Sequence, residues 1–209
     1  MTNNLSGWIV LDKPSGITSA HAVAKVKRLL KPSKIGHAGT LDPLASGVLP
    51  LALGEATKTV AYMMDAGKSY AFTVSWGEER DTDDVEGKTT AHSENRPTHT
   101  EIEAILPEFT GKIMQSPPSY SAIKVDGERA YALARSGETV ELASREVRVD
   151  SLSVTAGETG QTTLLCHCGK GTYIRSLARD MGRRLGCFGH ISMLRRLKVG
   201  KFDENHAIS

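Results

Sequence analysis

Apolar residues recur along this chain with two spacings, and the change from one to the other separates strands from helices. Tyr70, Phe72, Val74 and Trp76 alternate with Ala71, Thr73 and Ser75, a period of two that gives a strand one aromatic and apolar face. Trp8 to Leu11, Glu146 to Val154 and Thr162 to Cys168 read as further strands. Between Ser19 and Leu30 the period lengthens, so that Val23, Val26 and Leu30 share one face of a helix capped by Thr18 or Ser19. Thr98-His99-Thr100-Glu101 makes a capping box before Ile102, Ile105, Leu106 and Phe109, a second amphipathic helix. Thr172 to Leu185 predicts a third, with Ile174, Leu177, Ala178, Met181 and Leu185 as its buried stripe and Arg179 and Arg183 largely outside it. Pro117 and Pro118 break the chain, and Asp126 to Arg135 predicts a short helix ended by Gly137.

Composition narrows the class. With 209 residues and 39% hydrophobic content, the chain can bury a sizeable core as one large domain or two closely joined lobes. No apolar run approaches the roughly 20 residues that span a bilayer, and the N-terminus lacks the basic-then-apolar order of a signal peptide, so a cytoplasmic protein is expected. Cys166, Cys168 and Cys187 make a poor disulfide framework. Cys166-His167-Cys168 also lacks zinc spacing, since strand alternation turns His167 to the opposite face, and no metal is expected. Glu79 to Lys88 is rich in acids but lacks the terminal Glu of a calcium loop and reads as solvated.

The formal charge is only +2, but it is unevenly distributed. From Gly171 to Lys201 eight Lys or Arg face the single acid Asp180, whereas from Glu78 to Glu108 ten acids face Arg80, Lys88 and Arg96. Such asymmetry suits a polyanion bound on one face, with Arg179, Arg183, Arg184, Arg195 and Arg196 as the expected phosphate contacts. On charge alone, a solvated helix face with scattered loop charges fits equally well. Lys25, Lys27, Arg28 and Lys31 make the C-terminal half of the first helix basic, favourable both to its dipole and to phosphate.

The chemistry concentrates in Gly36 to Lys58, GHAGTLDPLASGVLPLALGEATK. Gly36, Gly39, Gly47 and Gly54 permit positive φ or close backbone approach, and Pro43 pushes Asp42 out of the α region. His37, Thr40 and Ser46 add polar groups, and Val48 to Leu53 supplies an apolar backing. A polar, sharply bent loop on an apolar support suits a rigid active site, with Asp42 as the candidate nucleophile. The plain alternative is an Asx turn. No Gly-Lys-Ser/Thr and no Gly-x-Gly-x-x-Gly occurs in the stretch, which excludes the P-loop and dinucleotide readings for it.

This stretch resembles the catalytic motif of the TruB family of tRNA pseudouridine synthases. The resemblance continues in order through Leu11-Asp12-Lys13-Pro14-Ser15-Gly16, Lys68-Ser69-Tyr70, and Pro117-Pro118-Ser119-Tyr120-Ser121-Ala122 with Lys124, Gly127 and Tyr131. It ends with Lys170-Gly171-Thr172-Tyr173-Ile174-Arg175 and His190 through Leu197, covering about Gly7 to Lys201. It implies an α+β catalytic domain over residues 1–209, built on a mixed, largely antiparallel sheet flanked by helices, with a mobile RNA-clamping element near 110–145. Bacterial members usually continue into a small C-terminal RNA-binding domain, which is not expected in this chain.

The implied activity is isomerisation of uridine 55 in the T-arm of tRNA, with the uridine flipped out and Asp42 as nucleophile. The resemblance makes Tyr70 the ring that stacks on the base, its hydroxyl a possible proton acceptor, and Arg175 the partner that keeps Asp42 ionised. It places Tyr173 and Leu194 at the uracil pocket and His37 against the rearranged RNA loop. The reaction is an isomerisation, so neither cofactor nor metal is expected; tRNA is the partner, no obligate protein partner is expected, and the default is a monomer. Two rivals stand beside this reading. One is a non-catalytic tRNA-binding or chaperone protein; the other is an Asp-dependent hydrolase, for which no neighbouring carboxylate motif offers a clear second partner.

Overall fold

Each predicted strand and helix has a counterpart in the computed structural model, which describes every residue except Met1, Thr2, Asp126, Gly137, Thr139 and Glu141 and leaves aside the side chain of Arg135. In chain order the elements are β1 (Gly7–Lys13), α1 (Ser19–Leu30), β2 (Ile35–His37), β3 (Ser46–Leu53), α2 (Val60–Asp65), β4 (Lys68–Trp76), β5 (Glu78–Arg80), β6 (Thr89–His92) and α3 (His99–Ile105). They continue with β7 (Gly111–Gln115), β8 (Lys124–Val125), β9 (Glu128–Arg129), α4 (Ala130–Arg135), β10 (Arg145–Glu158), β11 (Gln161–Cys168), α5 (Ile174–Arg184), β12 (Gly189–Val199) and β13 (Phe202–Asp203). The fold is α+β, with a mixed and mostly antiparallel sheet.

Contacts divide the chain into two compact units. One runs from the N-terminus to Ala71 and adds His167–Lys170 and Met193–Ser209; the other comprises Phe72–Cys166 and Gly171–Ser192.

In the first unit β3 is the organising strand. It pairs antiparallel with β1, from Gly7 opposite Leu53 to Lys13 opposite Gly47, and antiparallel with β2. It pairs in parallel with β12, where Arg195 and Arg196 lie opposite Ser46 and Gly47. The expected apolar backing is here: every residue from Gly47 to Leu53 is buried, and Val48, Leu49 and Leu51 have no exposed surface. Thr18 caps α1 by accepting from the His21 N–H. Ser19 and Ala22 are the residues α1 buries fully, Val23, Val26 and Leu30 are half-buried, and Ser19 ties its first turn to the loop before β3.

In the second unit the strand order is β12, β4, β11, β10, β7. Phe72, Val74 and Trp76 are buried, as the alternation predicts, and the Trp76 indole donates to Thr162 Oγ1 at 3.0 Å, so the ring is buried with its N–H satisfied. The Thr98 capping box is formed in full, and Ile102 and Ile105 face the core. α5 buries Ile174, Leu177, Ala178 and Met181, but it also buries Arg175 and Arg179, which the sequence pattern left outside for Arg179. Helix α4 is shorter than expected, preceded by the β8–β9 hairpin; its expected ends, Asp126 and Gly137, lie outside the described residues.

Two further sequence expectations need correction. Gly36 shows neither a positive φ nor a close neighbour, whereas Gly47, at φ +102°, would drive a Cβ to 2.2 Å from the Arg196 carbonyl oxygen. The stretch Glu79 to Lys88 is not simply solvated, because Asp83 and Asp84 are buried within it. Alternation along β11 does bury Cys166 and Cys168 and expose His167, and Cys187 is buried as well.

Candidate active site

The first unit holds Asp42 in a loop whose backbone is satisfied at every carbonyl. Arg196 donates to the carbonyls of Gly39 at 3.0 Å and Thr40 at 3.4 Å, and its Nε reaches Val48 O at 2.8 Å. Ser19 Oγ bridges both backbone groups of Leu41, at 2.8 and 2.9 Å. The Asp42 carbonyl accepts from Ala45 N, the Pro43 carbonyl from Gly16 N and Lys13 Nζ, and the Leu44 carbonyl from Ser15 Oγ. Lys13 and Arg196 are fully or almost fully buried, at 0% and 1% exposure, so these contacts are made where water competes little. Buried backbone groups must be paired, and here the pairing is done mostly by side chains from β1, α1 and β12. The result is a rigid loop that leaves the Asp42 side chain half-exposed at its bend.

Three more expected site residues belong to this unit. Tyr70 is half-buried near the start of β4, and Leu194 is buried on β12. His37 ends β2; burial, together with the nearby Arg196 charge, pushes its pKa below the ordinary imidazole value, which keeps the ring neutral at pH 7, and its Nδ1 is buried with no hydrogen-bond partner among the described residues. An unsatisfied buried ring nitrogen is a feature that bound ligand groups often resolve.

The second unit holds Tyr173 and Arg175 at the start of α5. Gln115 grips the Tyr173 backbone from both sides, its Nε2 donating to the carbonyl at 3.1 Å and its Oε1 accepting from the N–H at 2.8 Å. The Arg145 guanidinium lies over the Tyr173 ring, 5.3 Å from its centroid. Arg175 is buried: Nη1 donates to Thr82 O at 2.8 Å, Nη2 donates to Tyr120 O at 2.9 Å, and Nη1 sits 3.7 Å from Asp84 Oδ2. Asp84 is itself fixed by Thr82 Oγ1 and Glu86 N. The guanidinium therefore has one orientation.

The five arginines expected to bind phosphate are all engaged within the protein. Arg196 is the buried clamp of the Asp42 loop. Arg179 is buried, donating to Asp83 at 2.8 Å, Asp180 at 2.9 Å and the Ser116 carbonyl at 2.9 Å. Arg183 forms a fork with Glu79 and Arg184 one with Glu108. Arg195 bridges Asp12 and Glu204. The acidic stretch after β4 thus neutralises the basic helix α5, two segments that lie far apart in sequence. Burial raises the Asp83 carboxyl to about 6, against the pull of Arg179 and Arg175.

Sequence reading missed Lys13, Ser19, Gln115, Asp84 and the inward role of Arg196. Only the motif runs Leu11 to Gly16 and His190 to Leu197 gave a signal, for Lys13 and Arg196, because a buried lysine or glutamine carries no periodic mark.

Residues 27–174 match the family described as TruB family pseudouridylate synthase (N terminal domain), and residues 175–209 match the tRNA pseudouridylate synthase B C-terminal domain. The chain belongs to the TruB family. It is 60% identical over 206 residues to tRNA pseudouridine synthase B of Brucella anthropi, covering 98% of this chain and 64% of that protein. It is 60% identical over 205 residues to tRNA pseudouridine synthase B of Mesorhizobium japonicum, covering 98% and 63%. The chain thus spans less than two thirds of the length of these relatives. Among solved structures, a chain in the crystal structure of a Cbf5-Nop10-Gar1 complex superposes with a TM-score of 0.75 at 33% identity, over 96% of this chain and 50% of that one. A chain in the structure of an H/ACA RNP bound to a substrate RNA containing 2'-deoxyuridine gives 0.71 at 32% identity, over 95% and 49%.

Proposed function

We propose that this chain carries the catalytic machinery that converts uridine 55 in the T-arm of tRNA to pseudouridine, with Asp42 as the nucleophile. The observation that carries the reading is the Asp42 loop, where side-chain and backbone donors hold every carbonyl from Gly39 to Leu44. The relatives named tRNA pseudouridine synthase B support the choice of substrate.

In the reaction the N1–C1′ bond breaks, the base turns and a C5–C1′ bond forms; C5 loses its proton and N1 gains one. An ionised carboxylate serves whether it attacks the sugar, attacks the base or removes a sugar proton, so the loop's fixed geometry suits all three routes. Arg175, the residue that the family resemblance gives as the carboxylate's cationic partner, is held in one orientation by the Thr82 and Tyr120 carbonyls and by Asp84. Flipping the uridine costs a few kcal/mol, and stacking on Tyr70 returns roughly 1–3 kcal/mol of it. Tyr173 and Leu194 are the residues that the family resemblance gives to uracil binding, and His37 is the one it gives to the opened RNA loop. The described residues near 110–145 belong to the proposed RNA-clamping element, within which Asp126, Gly137, Thr139 and Glu141 lie outside the described residues.

The test is tritium release from C5-tritiated uridine in a T-arm stem-loop, with affinity measured in parallel. Release by the wild type, lowered about a thousandfold or more by Asp42→Asn at unchanged affinity, is expected. Tight binding with no release from either protein would support the tRNA-binding reading instead, and equal release from both would remove Asp42 from the chemistry.

A further inference from the structure

The α5 arginines Arg179, Arg183 and Arg184 are engaged by acids of their own unit, so cations without such partners are the better placed to meet RNA. From Lys13 to Leu41 the chain has no Asp or Glu, yet it carries Lys13, Lys25, Lys27, Arg28, Lys31 and Lys34. Lys13 is buried, while the others are all exposed along the second half of α1 and the turn that follows it. Among the described residues, the side chains of Lys25, Lys27, Arg28, Lys31 and Lys34 form no ion pair or hydrogen bond. The acids of the first unit other than Asp42 hold different cations: Asp12 and Glu204 hold Arg195, Glu55 holds Lys58, Asp65 holds Lys170, and Asp203 holds His206. Lys34 acts on Glu55 only as the weakest of several influences.

The position of this patch relative to the Asp42 loop is set by the first unit alone. The first turn of α1 holds Leu41 through Ser19, the helix leads to the basic residues, and β2 then carries the chain from Lys34 to His37. At 1.5 Å per residue, Lys25 to Lys31 line about 9 Å, long enough to meet more than one phosphate of a strand. We propose that this end of α1, with Lys34, is a phosphate-backbone clamp that holds the RNA whose uridine reaches Asp42. The proposal rests on the reading of the chain as an RNA-modifying enzyme. An anionic membrane is the less suitable partner, because a membrane-bound helix needs an open apolar face and Leu29 is the large apolar residue that α1 exposes.

The test compares Lys25→Gln/Lys27→Gln/Arg28→Gln with a control of equal charge change, Lys58→Gln/Lys112→Gln/Lys170→Gln, whose lysines each have an acid partner. Binding of a T-arm stem-loop is measured against salt concentration, with circular dichroism to check that both variants fold. The patch variant is expected to bind about tenfold or more weakly near 0.1 M salt, and to lower the slope of log affinity against log salt by about 2 to 3, while the control moves the slope by less than 1. Equal slopes for wild type and patch variant, or an equal loss in the control, would overturn the clamp. So would loss of binding to vesicles of equal parts phosphatidylcholine and phosphatidylserine with RNA affinity unchanged. Because binding is read without turnover, a wild type that binds RNA through the patch but releases no tritium would fail the catalytic reading and keep the clamp.

Discussion

At the scale of single residues, the most consequential side chain is one whose charge suggests the surface. Arg196 is 1% exposed and donates to the carbonyls of Gly39, Thr40 and Val48, of which Val48 is fully buried, Gly39 half-buried and Thr40 exposed. A buried group left without its partner costs about 1–3 kcal/mol, so Arg196→Met is expected to destabilise the protein by about that amount in urea unfolding. Arg196→Lys should recover only part of that loss, because an ammonium lacks the planar fork that reaches three acceptors at once. Full recovery by lysine would show that charge alone matters there.

At the scale of elements, the turn between β5 and β6 is joined to α5 by two buried charge pairs. Asp83 sits at φ +61° and holds Arg179, and Asp84 lies beside Arg175. Burial raises the Asp83 carboxyl to about 6 from an ordinary value of 3.8. Between about pH 4 and pH 6 the folded protein therefore binds more protons at this group than the unfolded chain does, and stability due to Asp83 falls as pH rises through that window. The stability difference between wild type and Asp83→Asn should shift by roughly 2–3 kcal/mol between pH 4 and pH 7, read from urea unfolding. A difference that stays flat with pH would mean that the Asp83 carboxyl titrates normally.

At the scale of the whole molecule, the sequence's division into an acidic and a basic stretch is largely an internal matter. Glu79 meets Arg183, Glu108 meets Arg184 and Asp83 meets Arg179, all within the second unit. Pairs of this kind differ in worth. Arg183 is 54% exposed at its side chain, so a double-mutant cycle of Glu79→Ala and Arg183→Ala should give a coupling of only about 0.5–1 kcal/mol, smaller in high salt. A coupling of several kcal/mol would mean that the pair is far better shielded from water than its exposure indicates.

The sequence by itself determined what depends on local pattern. Period-two alternation located β4 with its buried Phe72, Val74 and Trp76, the capping box located α3, and the small, bent residues around Asp42 located the candidate site. The motif order located the family to which the chain belongs. What only the tertiary structure decided was where each charge points. β12 carries Arg196 at an inward position, so its alternation is broken by the residue that holds the Asp42 loop, and no window of sequence marks that arginine as buried. Gln115 and Asp84 were hidden for the same reason, since their partners Tyr173 and Arg175 come from a distant segment, and Lys13 turns inward to the carbonyls of Pro14, Ile17 and Pro43. Hydrophobic periodicity records which face of an element leaves water, whereas the fate of a charge depends on which acceptor the fold brings to it.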